Sequence, residues 1–362
     1  LPANESFSNV RHARIIGAGL IGTSIGLALS ARGVVVSFED SSPANAELAS
    51  ALTGGLISDP TDPELVIVAT PISAIGTLVL GALERYPESI VIDIGGLKSK
   101  VLHEVLTLSV SNPRYVSVHP MAGREISGPG AARADLFEGR AWIVTASPTS
   151  SEKATEIALA LGEILGSTTY RLGPAEHDAT IGLVSHLPQM VSSLLGSVLA
   201  SRNPEELLLA GQGLRDTTRL AASDSGFWSE LLLANADVNI ELLNDYATRL
   251  SDLVKALSEK NEQALVEILD SGRTGQKRIP GKHGARVRDY TYLPVVIKDA
   301  PGQLAALFDE CARAGVNVED LSIEHSPGQS TGLITLALSE SDAEKLQIHL
   351  KNLGWSAHQP RK

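Results

Sequence analysis

His119 stands where a strand-like run, residues 115–118, passes into His-Pro-Met-Ala-Gly-Arg-Glu-Ile-Ser-Gly. A neutral imidazole, with a pKa of about 6.5, accepts protons well near neutral pH. At a strand end it suits an oxidation in which an alcohol loses a hydride and a proton. Residues 14–22 offer a place for the hydride acceptor: Arg-Ile-Ile-Gly-Ala-Gly-Leu-Ile-Gly is a strand, then GxGxxG, then a helix. Gly17 permits the tight turn, Gly19 lets the backbone approach a pyrophosphate, and Gly22 allows close helix–strand packing. The helix start, at Leu20 and Ile21, presents N–H donors and a positive dipole end. A second strand, 34–38, ends in Glu39-Asp40, at the spacing of about 20 residues where an acid takes the adenosine ribose hydroxyls. Asp40 is the expected ligand, with Glu39 in reserve. Ser41 and Ser42 follow where a 2′-phosphate would want an arginine, so NAD is favoured and NADP not excluded. Thr70 and Pro71, closing a later strand, are further expected cofactor contacts.

These residues need a scaffold, and the chain divides into three parts that could supply one. From 11 to 172, β-branched runs at 13–16, 34–38, 65–69, 90–94, 115–118 and 142–145 alternate with helix-length segments. That order predicts βαβ units on a mostly parallel sheet, an α/β Rossmann-type dinucleotide-binding domain. Residues 173–275 are rich in Leu and Ala with helical periodicity, and 205–222 and 227–257 each read as one long helix. An all-α substrate domain is expected there, packed across a homodimer. Glycine, proline and basic residues crowd 271–289, with 276–289 as the linker. Then 290–362 reads as strand 292–297, helix 302–314, strands 318–325 and 332–338, helix 342–353 and a last strand near Trp355, a small α+β unit of order βαββαβ.

The chain has 362 residues and a net charge of −12, which argues against a nucleic-acid surface or an anionic membrane as partner. Small anions remain possible substrates, since a local arginine can hold them. The single cysteine, Cys311, allows no internal disulfide or Cys-rich metal site, and a reducing, cytoplasmic setting is expected. Residues 1–9 carry no apolar core of a secretory leader. No apolar run approaches the roughly 20 residues of a spanning helix.

Segments in order resemble the prephenate/arogenate dehydrogenase family of tyrosine biosynthesis. His119 to Gly128 is similar to its catalytic segment, and Asp93-Ile94-Gly95-Gly96-Leu97-Lys98 to its Asp-x-Gly-Ser-x-Lys turn. Glu176-His177-Asp178, followed by Ser185-His186-Leu187-Pro188, resembles the first helix of its second domain. Gly213-Leu214-Arg215-Asp216-Thr217-Thr218-Arg219 resembles its substrate-arginine helix. The resemblance implies NAD-dependent oxidative decarboxylation of prephenate to 4-hydroxyphenylpyruvate, with arogenate as the alternative substrate and no metal. His119 would be the base and Arg219 the carboxylate clamp, with Asp216 on the same helix face able to orient it. His186 and Glu125 would line the substrate cleft, and Trp228 would be a pocket wall or a core aromatic. Three positions depart from the family: Gly96 replaces a serine that would orient the histidine beside the nicotinamide. Arg124 is a second clamp or a solvent-facing side chain. Gln189 replaces a histidine near the substrate's side chain.

Asp299-Ala300-Pro301-Gly302-Gln303-Leu304 and Gly315-Val316-Asn317-Val318 resemble the ACT domain. This implies a module that binds an aromatic amino acid effector, tyrosine by end-product logic. Gly302 would clear space for the ligand's backbone, and Asn317, tolerant of left-handed φ, would offer it an amide alongside Asp299. Competing readings are a hydroxyacid or imine-reductase type of Rossmann enzyme, and a non-catalytic amino-acid-binding regulator. The first would want a catalytic Lys or Asp on the second domain's first long helix.

Overall fold

The computed structural model describes residues 7–57, 62–108, 112–124, 126–279, 290–325 and 330–361. Contacts divide the chain into units Leu1–Leu250 and Ser251–Lys362.

The first unit opens with β1 (His12–Ile16), α1 (Leu20–Ser30), β2 (Val35–Glu39), α2 (Pro43–Thr53), β3 (Leu65–Val68), α3 (Ile72–Arg85), β4 (Ile90–Asp93) and α4 (Ser99–Leu108). It continues with β5 (Tyr115–Pro120), β6 (Ala141–Thr145), α5 (Glu152–Ile164) and β7 (Thr168–Arg171). The sheet order is β2-β1-β3-β4-β5-β6-β7. All pairs are parallel except β5 with β6. Strands β1, β3 and β4 are buried at every position, as strands covered by helices on both faces must be. The strand order reverses between β1 and β3, so a crevice opens beyond their carboxyl ends, where such sheets bind ligands. The edge strand β7, Thr-Thr-Tyr-Arg, was not among the strands expected from the sequence. It is mostly exposed and has no apolar run to mark it.

The helical part follows: α6 (Pro174–Ile181), a π-helical turn (Gly182–His186), α7 (Leu187–Ala200), α8 (Pro204–Leu207), α9 (Gln212–Thr218), a 3₁₀ turn (Arg219–Ala222), α10 (Ser225–Ala234) and α11 (Ala236–Ser258). Pro188 in the first turn of α7 has no N–H and its ring collides with a regular preceding turn. The widened π turn lets one continuous rod pass through it. Two expected long helices are broken instead. Residues 205–222 form α8, α9 and the 3₁₀ turn, because Gly211 takes an extended conformation and starts a new helix. Residues 227–257 break at Asn235, whose side chain donates to the Asp178 carbonyl at 3.0 Å.

The run Pro174–Ala200 is, by length and composition, apolar enough to cross a membrane, contrary to the sequence expectation. Its buried side carries His177, Asp178, His186 and Gln189, all hydrogen-bonded to protein.

In the second unit, α12 (Glu262–Lys277) extends into the stretch expected to be linker, most of which (280–289) lies outside the described residues. Then come β8 (Thr291–Lys298), α13 (Gln303–Arg313), β9 (Asp320–His325), β10 (Thr331–Leu338), α14 (Glu340–Asn352) and β11 (Ser356–Ala357), the βαββαβ order of an ACT-type module. The antiparallel sheet runs β11-β8-β10-β9. Its core joins Leu293, Val295, Leu307, Ile334, Leu336 and Leu346.

Candidate active site

Each glycine of the fingerprint does a separate job. Gly17 has φ +104°, and a Cβ there would lie 2.3 Å from the Ala69 carbonyl oxygen, so β1 and β3 could not close up around any other residue. A Cβ on Gly22 would lie 2.0 Å from the Gly17 carbonyl oxygen. Around Gly19, by contrast, nothing lies within 4 Å of an added Cβ, and this N-cap of α1 has no side-chain cap. Backbone donors at Leu20 and Ile21 thus begin a helix at an open place, which suits a pyrophosphate. Asp40 accepts from Ala18 N–H at 2.7 Å and from Ser42 N–H at 2.8 Å, bringing a carboxylate beside the fingerprint. Glu39 is taken up instead by Arg14 at 3.0 Å and Arg85 at 3.5 Å. Thr70, past β3, has a buried hydroxyl with no partner among the described residues. These features fit a bound dinucleotide.

His119, at the end of β5, is half-buried beside this crevice. Its Nδ1 lies 2.9 Å from His177 Nε2, and His177 Nδ1 lies 2.8 Å from Asp178 Oδ1. Asp178 also accepts the N–H groups of Lys98 (2.9 Å) and Ser99 (2.8 Å) at the start of α4, where a helix favours an anion. Behind them Lys98 is completely buried. Its Nζ donates to Asp93 Oδ1 at 3.0 Å, Ser117 Oγ at 2.9 Å and the Val118 carbonyl at 2.7 Å. Tyr115 donates to Asp93 Oδ2 at 2.7 Å. Burial, then the neighbouring His177, Lys98 and His186, holds the His119 pKa well below its ordinary value. Burial likewise lowers His177 and His186. All three imidazoles are neutral near pH 7.

His186 is buried on the helix that carries His177. Its Nδ1 meets Asn239 Oδ1 at 3.1 Å, its ring stands edge-on to Trp228, and its Nε2 has no partner among the described residues. Gln189 Nε2 donates to the Leu220 carbonyl at 2.9 Å, so its amide orientation is set, and its buried Oε1 is also unpartnered. Among the described residues five buried side-chain polar atoms lack partners, and Thr70, His186 and Gln189 supply three of them. These are residues the sequence had put next to a ligand. Arg219 lies exposed in the 3₁₀ turn after α9, while Asp216 accepts from Gln212 at 2.7 Å. Arg124 is exposed and donates to the Ala131 carbonyl at 2.9 Å. Glu125 lies outside the described residues. Gly96 lies against both Leu231 of α10 and His119: an added Cβ would be 3.9 Å from His119 Nε2. In the ACT-type module Asp299 and Gly302 are exposed around the start of α13, and Asn317 donates to Glu319 at 2.9 Å. Left-handed φ falls on Gly302 (+86°) and Gly315 (+61°).

The prephenate dehydrogenase nucleotide-binding domain matches residues 25–170, and the prephenate dehydrogenase dimerization domain matches 173–271. A protein of Streptomyces niveus described as a probable prephenate dehydrogenase is 30% identical over 361 residues, covering 96% of this chain and 100% of that one. The chain belongs to the prephenate dehydrogenase family. Prephenate dehydrogenase of Bacillus subtilis is 26% identical over 91% of this chain and 93% of its own. The fold is shared with prephenate dehydrogenase of Aquifex aeolicus, at a TM-score of 0.67 and 24% identity, covering 74% of this chain and 98% of that one. As a family member the chain is an NAD(P)-dependent dehydrogenase of the prephenate/arogenate pathway.

Within this family site, sequence reasoning passed over several residues. His177, Asp178, Asp93 and Lys98 were visible as parts of motifs but had no assigned work. The signal was there: a His-Asp pair in the short helix that opens a domain. Asn235, Asn239, Leu231 and Glu230, which accepts from Ser73 N–H at 2.8 Å, carried no signal of their own.

Proposed function

We propose that the chain is an NAD-dependent prephenate dehydrogenase. It oxidises the ring carbinol of prephenate and releases carbon dioxide, leaving 4-hydroxyphenylpyruvate. The observation that carries this is His119: a neutral imidazole beside the dinucleotide crevice, braced at Nδ1, with Nε2 on the side of Gly96. His119 accepts the hydroxyl proton through Nε2 as the carbinol carbon gives up its hydride. Bound NAD supplies the hydride acceptor. The C–C bond to the ring carboxylate then breaks, and its electron pair makes the ring aromatic. Arg219 is the clamp for a substrate carboxylate, since a guanidinium matches one bidentately. His186 and Trp228 line the cleft. NAD is preferred to NADP because a 2′-phosphate would confront the Asp40 carboxylate.

One observation favours arogenate as a second reading. Gln189 keeps an unpaired acceptor, Oε1, and an acceptor complements an ammonium rather than a keto oxygen. The test is NADH or NADPH formation with prephenate and arogenate each offered NAD and NADP. Turnover of prephenate with NAD supports the reading; silence in all four combinations sinks it.

A homodimer is part of the proposal. Leu183, Val184, Leu194 and Val198 are each more than half exposed on the run shared by the π turn and α7. Apolar surface on that scale asks for a partner, and a second copy of the family's dimerization domain fits it. The ACT-type module is proposed to bind an aromatic amino acid near Asp299, Gly302 and Asn317, which calorimetry with tyrosine on the whole protein checks.

A further inference from the structure

An imidazole that takes a proton through Nε2 must carry its own hydrogen on Nδ1, and nothing within an isolated ring enforces that. Here the choice is made two residues away. Asp178 is acceptor-only: Oδ1 takes the Lys98 N–H, Oδ2 the Ser99 N–H. Burial works to raise its pKa, but the bonds from His177, Lys98 and Ser99 outweigh it and the carboxyl stays below its usual range. Facing this carboxylate at 2.8 Å, His177 Nδ1 must be the one that carries hydrogen. His177 Nε2 is then a lone pair, 2.9 Å from His119 Nδ1. Two ring nitrogens so close share one hydrogen, and it belongs to His119. The His119 lone pair is left on Nε2, the side of Gly96.

We infer that His177 is a positioning residue which, with Asp178 behind it, locks His119 in the Nδ1–H tautomer and so sets the base before substrate arrives. The inference rests on His119 being the base. The other tautomer of His119 would set two lone pairs against each other, Nδ1 of His119 against Nε2 of His177. His177 is wholly buried and does not open to the cleft, so it acts through His119 and not on substrate. This device also takes over the task of a hydroxyl at position 96, which a glycine cannot perform. Asp178 stands on α6 while its backbone donors stand at the start of α4, so the lock closes only when the helical domain is seated on the sheet domain.

The test compares whole-protein variants by kcat, KM and NAD affinity, on whichever substrate the wild type turns over. His177→Phe removes the acceptor. Its kcat is expected to fall by about 10²-fold or more, the scale of a misset general base, with KM and NAD affinity within about threefold. His177→Gln, whose amide can accept from His119 and donate to Asp178, is expected to keep kcat within about tenfold. His119→Asn is the reference. If it retains turnover, the base assignment itself is wrong and this inference falls with it. If it loses turnover while a folded His177→Phe keeps kcat within about threefold, only the lock is overturned. The same holds if Gln falls as far as Phe, the mark of a merely structural role. Should His177→Phe fail to fold, Asp178→Asn decides: a fall in kcat at unchanged KM, beside an active His177→Gln, supports the lock, and an unchanged kcat overturns it.

Discussion

Leu231 of α10 lies directly over Gly96: a Cβ on Gly96 would come within 3.1 Å of Leu231 Cδ1. A side chain at position 96, such as the family's usual serine, would therefore be tightly packed against Leu231. Leu231 packs with Ile16, Val68 and Leu97, so the leucine closes an apolar seam between α10 and the mouth of the sheet. The obstacle is the tip of a flexible side chain, which can yield by tenths of an ångström.

Gly96→Ser is accordingly expected to fold, at a cost of about 1 kcal/mol from overpacking. With His119 already braced by His177, its kcat should change by less than about threefold, far short of a general-base effect. Adding Leu231→Ala should remove the packing penalty. Urea unfolding of both singles and the double gives the coupling between them. A large rise in kcat in Gly96→Ser would mean that the histidine is not fully oriented without the hydroxyl.

The depressed pKa of His119 sets the pH profile. Only the neutral ring accepts a proton, so kcat/KM falls as pH drops through the folded pKa, which lies below the ordinary value of about 6.5. The acidic limb is thus expected below that value, and a pH–rate profile with an acidic limb at or above it would contradict the assignment of His119 as the base. Stability moves the same way. His119, His177 and His186 each bind a proton less readily folded than unfolded. Below about pH 6.5 the unfolded chain takes up more protons, so unfolding free energy declines as pH falls from there.

Lys98 offers a stability test. Its ammonium and the Asp93 carboxylate are both fully buried, 3.0 Å apart. Lys98→Met leaves Asp93, among the described residues, with Tyr115 and Gly95 as donors. Breaking a buried pair in this way is expected to destabilise the domain by about 3–5 kcal/mol, read from urea unfolding. Because Lys98 helps to keep His119 neutral, any folded Lys98→Met should also shift the acidic limb of kcat/KM upward. A loss under about 1 kcal/mol would show that the pair contributes little net stability to the domain.

What the sequence made legible follows from range. The glycines of the fingerprint answer to backbone sterics within a few residues, and 17, 19 and 22 meet, in turn, a carbonyl, open space and a carbonyl. Apart from β7 and the breaks in the two long helical stretches, the order of strands and helices was legible for the same local reason, down to the βαββαβ module. His177 was not, because its importance lies in a contact with His119 across two domains, and a buried histidine in a helix looks alike with or without one. The break at Asn235 escaped periodicity since a tertiary hydrogen bond to Asp178 pulls the chain off the helix. The turn before β9 is made by Gly315, two residues before Asn317, whose tolerance of left-handed φ is not drawn on.

Two arginines were candidates for the substrate's carboxylates, and their surroundings separate them. Arg124 is exposed and spends a donor on the Ala131 carbonyl, pinning the loop after the catalytic segment. Arg219 sits at the turn that follows α9, one residue before the carbonyl that fixes Gln189. Arg219→Ala is expected to raise KM by about 10- to 100-fold, the size of a charge-assisted bidentate contact, with a smaller change in kcat. Arg124→Ala should raise KM by less than about fivefold, since both arginines are exposed but only Arg219 adjoins the carbonyl that holds Gln189, whereas Arg124 is turned to the Ala131 carbonyl. Initial rates at low and high salt check both. A larger KM effect for Arg124 than for Arg219 would make Arg124 the principal clamp, with substrate entering along the loop rather than across α9.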